Sequence, residues 1–131
     1  MKFTSRLLIL LALVMGIQAV SNAQTKAVLT ATIKTPGALC DNCKKRIEAY
    51  VKPYDGIIEI NVNYRKGETK VKYITDRINI EEIKAYIANV GYDADDVLAS
   101  EDAYKRLPTT CKKAEDGGTH PKPKLVPAPQ Q

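Results

Sequence analysis

Two cysteines separated by two residues carry the clearest chemical signal in this sequence of 131 residues. Cys40 and Cys43 follow an alternating apolar segment and stand where a helical pattern begins, so both sulfurs are expected near the first turn of a helix. The unsatisfied N–H groups and the positive dipole end of a helix favour a thiolate there and predict a lowered cysteine pKa. Because a thiolate is both a soft-metal ligand and a redox nucleophile, the pair predicts either a metal site or a redox site.

A third cysteine, Cys111, lies in an extension beyond the last predicted strand. A short helix over 100–106 and extended residues up to Cys111 together reach roughly 26 Å, whereas the strand before them spans only about 17 Å. The extension is therefore long enough to bring Cys111 back to the other two sulfurs, with Tyr104 and Leu107 as anchors on the domain. Cys111 is accordingly a candidate third metal ligand; the alternative is a free or intermolecular thiol at the start of a tail.

The elements that must position these cysteines follow from the spacing of apolar residues. Four segments alternate as strands do, at 27–34, 58–64, 69–74 and 94–98. Two segments have helical spacing, from about Asp41 to about Lys52 and from Asn79, which forms a capping-box pattern with Glu82, to Gly91. The order βαββαβ predicts an α+β, ferredoxin-like sandwich, in which two helices cover one face of a four-stranded antiparallel sheet.

The start of the chain has the pattern of a secretory signal peptide. A basic beginning, an apolar run over 7–17 and the small residues Ser21 and Ala23 predict cleavage after residue 23. The apolar run is too short to serve as a membrane anchor. Cleavage would remove Lys2 and Arg6 and lower the net charge from +5 to +3. The mature protein is therefore expected to be exported, with a charge too small to indicate nucleic acid as a partner.

Two weaker metal-binding patterns are present. The single histidine, His120, would complete a zinc set with the three cysteines, but an isolated histidine among prolines is more typical of a solvated tail. Because this is the only histidine and lies in the tail, acid–base catalysis by histidine is not expected. Asp93, Asp95 and Asp96 resemble a calcium cluster, although their spacing fits a solvated strand edge better.

The loop around the cysteine pair resembles the metal-binding loop of heavy-metal-associated domains. This family includes copper chaperones, the N-terminal domains of copper-transporting ATPases and exported mercury-binding proteins. The similar residues are TPGALCDNC at 35–43 with KKRIE after them, and the resemblance extends over 28–98. Ala38 replaces the methionine of the usual G-M-x-C-x-x-C motif, which is an apolar residue beneath the loop and not a ligand. Tyr92 matches an aromatic residue that bacterial members place beside the site; alternatively it is a packing residue.

The resemblance implies that Cys40 and Cys43 bind a soft ion, Cu(I) above all, with Hg(II) or Zn as further candidates. An exposed two-thiolate site leaves room for a partner's thiolate, so the implied partner is a metal-transporting ATPase or another thiol-rich donor or acceptor. Lys44, Lys45 and Arg46 would offset the charge of the loaded site or steer docking, unless they form an ordinary solvated helix face. The protein is thus expected to be a periplasmic metal chaperone or sequestering protein, monomeric when metal-free, and not an enzyme.

Two other functions use the same cysteines. A thiol–disulfide oxidoreductase also carries C-x-x-C at a helix start, and an oxidising compartment suits its chemistry. The elements after the first helix argue against it, because a hairpin follows at once and no proline lies between Pro53 and Pro108. The other alternative is a structural disulfide between Cys40 and Cys43 in an interaction domain.

The expected organisation has four parts. A signal peptide at 1–23 precedes the heavy-metal-associated domain at 24–98. A helical extension at 99–111 carries the third cysteine. From residue 112 to 131 the composition is polar and rich in proline and cannot bury a core, which predicts a disordered tail.

Overall fold

The computed structural model describes residues 27–119. The predicted signal peptide, His120 and the remainder of the predicted tail lie outside the described residues. Within residues 27–119, no helix has the length and apolar character needed to cross a membrane.

Three strands and two long helices form the domain, with a short helix after them. The strands are β1 (Val28–Lys34), β2 (Ile57–Asn63) and β3 (Glu68–Ile74). The helices are α1 (Asp41–Val51), α2 (Ile80–Val90) and α3 (Glu101–Lys105). Both β1 and β2 pair antiparallel with β3, so the sheet order is β1-β3-β2. The α+β, ferredoxin-like fold that the periodicity predicts is confirmed.

The core lies between one face of the sheet and the two long helices. Alternate residues of β3, and of β2 from Ile60 onward, point inward, and the helices contribute one apolar stripe each, as the periods of two and 3.6 residues require. The fully buried large aliphatic side chains are Ile33, Ile47, Val51, Val62, Val71, Ile83 and Ile87. Because α1 packs against this core along its whole length, the cysteines at its first turn are held in a fixed position.

The predicted fourth strand at 94–98 is wrong. Within the described residues, this segment makes only one isolated bridge, between Ala94 and Val97. Asp95 has a φ of 51°, which turns the chain, and its carboxylate accepts a bond of 2.8 Å from the N–H of Lys34. The N–H of Asp95 in turn donates to the carbonyl of Lys34 at 2.9 Å. The segment therefore lies beside the end of β1, but aspartate bonds to the backbone replace a strand ladder.

The alternation in β2 is interrupted at its start. Ile58, which the pattern places on the buried face, is 46% exposed, and Ile57 packs against the core instead. The register shifts between Ile57 and Glu59, so a bulge inserts one residue and reverses the faces before it. From Ile60 onward the predicted faces are correct.

Both ends of α2 have the local geometry that the sequence predicts. The Asn79 side chain accepts from the N–H of Glu82 at 2.9 Å, and the Glu82 carboxylate accepts from the N–H of Asn79 at 3.0 Å. Gly91 ends the helix with a φ of 104°. A Cβ at Gly91 would lie 3.1 Å from the backbone carbonyl of Ala103 in α3, so this glycine also permits the extension to pack closely.

Residues 112–119, the first part of the predicted tail, have a defined local structure. They include a 3-10 helix, Ala114–Asp116, and the N–H of Thr119 donates to the carbonyl of Thr109 at 3.2 Å. The Tyr104 hydroxyl donates to Asp116 at 2.6 Å, which ties the segment to α3. Composition predicts disorder because the segment has little apolar surface to bury, and these hydrogen bonds join it to Tyr104 and Thr109 of the preceding extension.

Candidate metal centre

The cysteine pair lies where the loop after β1 enters α1. Cys40 is the N-cap residue of α1 with extended backbone angles, and its sulfur accepts from the N–H of Cys43 at 3.3 Å. The sulfur therefore occupies the position that a serine or aspartate oxygen takes in an ordinary N-cap. Cys43 lies in the first turn with its side chain directed into the core.

The sulfurs of all three cysteines lie together. The Cys40 and Cys43 sulfurs are 2.8 Å apart, Cys43 and Cys111 are 3.0 Å apart, and Cys40 and Cys111 are 4.0 Å apart. Cys111 reaches this position at the end of a 3-10 helix, Thr109–Cys111. All three residues are thiols in the structure and not disulfides. The arrangement offers three soft ligand atoms to one ion.

Access to the three sulfurs is unequal. Cys43 and Cys111 are buried, whereas Cys40 is half-buried. The Cys40 thiol also donates to the Thr110 carbonyl at 3.5 Å. An incoming group therefore reaches Cys40 before the other two cysteines. The backbone of the extension lies next to Cys40 at Thr110. The sequence did not predict the contact with Thr110, because it is made by a backbone carbonyl and does not depend on the side-chain pattern.

Burial raises the pKa of the Cys43 thiol, and together with hydrogen bonds to Cys40 and Cys111 it brings that pKa to about 12. The sequence predicted a lowered pKa at the helix start, and for Cys43 that prediction is wrong. Desolvation penalises the thiolate more than the helix N-terminus favours it. In the metal-free protein Cys43 is thus a neutral thiol at pH 7, and a bound cation must displace its proton.

Tyr92 lies beside the sulfurs and is only 1% exposed. Its hydroxyl oxygen is buried, and among residues 27–119 no group meets it in good hydrogen-bond geometry; the weakly hydrogen-bonding Cys111 and Cys43 thiols are its polar neighbours. Burial raises the pKa of Tyr92, and the neighbouring Cys111 and Cys43 thiols add to the effect. The side chain therefore encloses one side of the site as a neutral, apolar wall.

The loop before the cysteines is supported from below. Ala38 is fully buried. Its N–H donates to the carbonyl of Thr35 at 3.1 Å, and the buried Thr35 hydroxyl is 2.9 Å from that of Thr69 on β3. These bonds fix the path of the loop between β1 and Cys40 without a large apolar residue.

Of the basic residues after Cys43, Lys44 has a structural role. Lys44 forms an ion pair of 2.8 Å with Glu48 and donates to the Val62 carbonyl at 3.2 Å. Glu48 also accepts from the N–H of Val62, so this pair fastens α1 to β2. Lys45 pairs with Asp41 at 2.6 Å on the exposed face.

The three aspartates at the end of the domain are not brought together as a cation site. Asp93 accepts from the N–H of Ala99 at 2.9 Å and pairs with Lys113 at 3.3 Å. Asp96 pairs with Lys84 at 2.9 Å, and Asp95 lies 3.9 Å from the same ammonium. Their charges are thus used in hydrogen bonds and ion pairs within the domain.

Comparison with known proteins identifies relatives of the central part of the chain. Residues 32–93 match the family model of the heavy-metal-associated domain. The copper chaperone CopZ of Staphylococcus saprophyticus is 33% identical over 64 residues, which cover 49% of this chain and 94% of that protein. Copper-transporting ATPase 2 of Rattus norvegicus is 31% identical over 65 residues, which cover 50% of this chain and 4% of the ATPase.

Among solved structures, oxidized MerP from Ralstonia metallidurans shares the fold. It superposes with a TM-score of 0.50 at 19% identity, covering 53% of this chain and 96% of that protein. Cys40 and Cys43 fall within the residues that match the family model, whereas Cys111 and the segment that carries it fall outside them. The third sulfur is therefore an addition to the matched domain.

Proposed function

This chain belongs to the heavy-metal-associated domain family, and we propose that it is an exported carrier of soft metal ions, with Cu(I) as its cargo. Cys40 and Cys43 bind the ion as thiolates. The observation that carries the proposal is the sulfur pair 2.8 Å apart at the first turn of α1. Thiolates select soft ions such as Cu(I), Hg(II) and Zn over hard ones, and two ligands suit an ion that accepts low coordination.

The proposed site releases its cargo by ligand exchange. A partner's thiol loses its proton and bonds to the ion, while one bond between the ion and a cysteine of this chain breaks and that cysteine takes up a proton. Of these two ligands, Cys40 is the one whose bond to the ion breaks first, because it is less buried than Cys43. The partner is a thiol-rich metal donor or acceptor, such as a metal-transporting ATPase; part of a copper-transporting ATPase is itself a relative.

The proposal places the protein in the periplasm. The basic start and the apolar run at 7–17 support export by signal peptide, with loss of residues 1–23. The metal-free carrier is expected to be a monomer. Mass spectrometry of the protein recovered from the native compartment tests the cleavage, and a chain that retains Met1 in the cytoplasm would contradict it.

Anaerobic titration of the reduced chain with Cu(I), against a chelator of known affinity, tests the function. The wild type is expected to bind one Cu(I) tightly, and Cys40→Ser and Cys43→Ser are expected to bind it much more weakly. Asn42→Ser is the matched control, since it changes an exposed residue between the two cysteines without removing a sulfur. Weak binding that is the same in all four proteins would overturn the proposal. Insulin reduction at a thioredoxin-like rate would favour an oxidoreductase instead.

A further inference from the structure

We propose that Cys111 is a third ligand of the same metal ion and that the segment carrying it controls how fast the ion leaves. This inference rests on the proposed Cu(I) site at Cys40 and Cys43. The segment, residues 99–119, is called the strap below. It converts an open two-sulfur carrier site into a closed three-sulfur site that retains its cargo.

The first argument is the position of the Cys111 sulfur. It lies 3.0 Å from the Cys43 sulfur and 4.0 Å from that of Cys40. All three separations are shorter than about 4.6 Å, which is twice a typical metal–sulfur distance of about 2.3 Å. One ion can therefore contact all three sulfurs without a rearrangement of the backbone. Cys111 is also 2% exposed, so it faces the other sulfurs and not solvent.

The second argument is that the strap is anchored on the N-terminal side of Cys111. Leu107 is 4% exposed and belongs to the core cluster of the domain. The backbone of Ala103 packs against Gly91 at a distance that a Cβ would obstruct. The N–H of Ser100, just before α3, donates to the carbonyl of Ala88 at 2.9 Å. Cys111 is thus four residues beyond a buried anchor.

A second anchor holds the strap on the C-terminal side of Cys111. The Lys113 ammonium pairs with Asp93 at 3.3 Å, and the Lys113 N–H donates to the Tyr104 hydroxyl at 2.9 Å. The Tyr104 hydroxyl in turn donates to Asp116. Because anchors lie on both sides, Cys111 is a positioned residue of the site and not the beginning of a free tail.

The functional consequence follows from the chemistry of exchange. In an open two-sulfur site, an incoming thiolate can bond to the ion before a cysteine leaves. Here Cys111 already occupies that third position, and the Thr110 carbonyl lies over the Cys40 sulfur. A partner must first displace Cys111, which requires the strap to lift. The protein is therefore built to hold its ion and to release it slowly.

X-ray absorption at the copper edge tests the ligand set on the full chain loaded with one Cu(I). The wild type is expected to show three sulfur neighbours, and Cys111→Ser is expected to show two. Transfer of Cu(I) to an excess of dithiothreitol is expected to be at least about tenfold faster from Cys111→Ser, since loss of even an outer-shell partner of a metal site costs about 10–100-fold in affinity. Two sulfurs in both proteins, with equal transfer rates, would overturn the inference and leave the proposed function standing. Absence of Cu(I) binding by the wild type would overturn both.

A second variant separates the strap from the sulfur. Lys113→Ala removes the ion pair with Asp93 but keeps Cys111, so the copper edge should still show three sulfurs while transfer becomes faster. Lys105→Ala is the matched control, because it removes a lysine and an exposed ion pair with Glu101 from the same strap. Equal transfer rates for Lys113→Ala, Lys105→Ala and the wild type would show that the strap does not control release.

Discussion

The sulfur of Cys43 lies 3.0 Å from the sulfur of Cys111, although 68 positions separate the two residues in the sequence. Cys43 belongs to α1 in the matched domain, whereas Cys111 belongs to the strap outside it. Their contact joins the two parts of the chain at the candidate metal site. Any change that loosens the strap should therefore be detectable at the cysteines.

The strap should come loose when its buried leucine is truncated. Leu107→Ala removes a core side chain, and we expect the free energy of unfolding to fall by about 2–5 kcal/mol. Because Leu107 anchors the segment that carries Cys111, alkylation of the Cys111 thiol by iodoacetamide should also become faster than in the wild type. Leu98→Ala is the control, since Leu98 is 78% exposed; its unfolding free energy should change by less than about 0.5 kcal/mol. Equal effects of the two substitutions on stability and on alkylation would contradict the anchor.

Gly91 should tolerate a side chain poorly for two separate reasons. Its φ is 104°, and an added Cβ would lie 3.1 Å from the Ala103 carbonyl group and from the Tyr104 nitrogen. Gly91→Ala is expected to lower the free energy of unfolding by about 1–3 kcal/mol from backbone strain, with a further loss from the displaced α3. Gly117 has a φ of 77° but open space around it, so Gly117→Ala isolates the strain. Urea denaturation measures both, and an equal loss in the two variants would show that α3 does not constrain Gly91.

The metal-free, reduced protein should lose stability in alkaline solution. Cys43 has an ordinary pKa of 9.0 when unfolded and about 12 when folded, because burial disfavours its thiolate. A raised folded-state pKa means that the native protein holds the proton more tightly, so the stabilisation is complete below pH 9 and is lost as pH rises toward 12. Burial raises the pKa of Tyr92 as well, which steepens the loss above pH 10. Anaerobic urea denaturation at several pH values should show this slope.

Cys43→Ala provides the check on that assignment. The substitution removes the thiol, so the free energy of unfolding should no longer fall between pH 9 and pH 10. It should still fall above pH 10, because Tyr92 is still present. An unchanged profile in Cys43→Ala would mean that another group is responsible.

The Tyr92 hydroxyl should contribute nothing favourable to the stability of the metal-free protein. It is buried, and in the described part of the chain its polar neighbours are the Cys111 and Cys43 thiols, which are weak hydrogen-bonding groups and do not meet it in good geometry. An unsatisfied buried hydroxyl carries a desolvation cost of about 1–3 kcal/mol, so Tyr92→Phe should leave the free energy of unfolding unchanged or increase it. Tyr73→Phe, at another buried tyrosine of the core, serves as a comparison. Destabilisation by Tyr92→Phe alone would indicate that the hydroxyl has a partner.

The sequence by itself determined the local features of this protein. The alternation of β1 and β3, the helical stripes of α1 and α2, and the capping box at Asn79 and Glu82 all depend on residues a few positions apart. The position of Cys40 and Cys43 at the start of a helix is a feature of the same kind. Such features are predictable because the backbone period and the capping bonds act over one or two turns.

Only the tertiary structure decided the features that depend on distant residues. The bulge before Ile60 depends on pairing with β3, and the turn at Asp95 depends on the backbone of Lys34. The sequence showed that Cys111 could reach the site, but chain length sets only an upper limit on distance, and the packing of Leu107 settles where the strap lies. The sequence predicts a lowered pKa for Cys43, whereas in the folded protein that pKa is raised, again because of distant residues. A helix start favours the thiolate locally, whereas desolvation depends on every residue that packs around the sulfur.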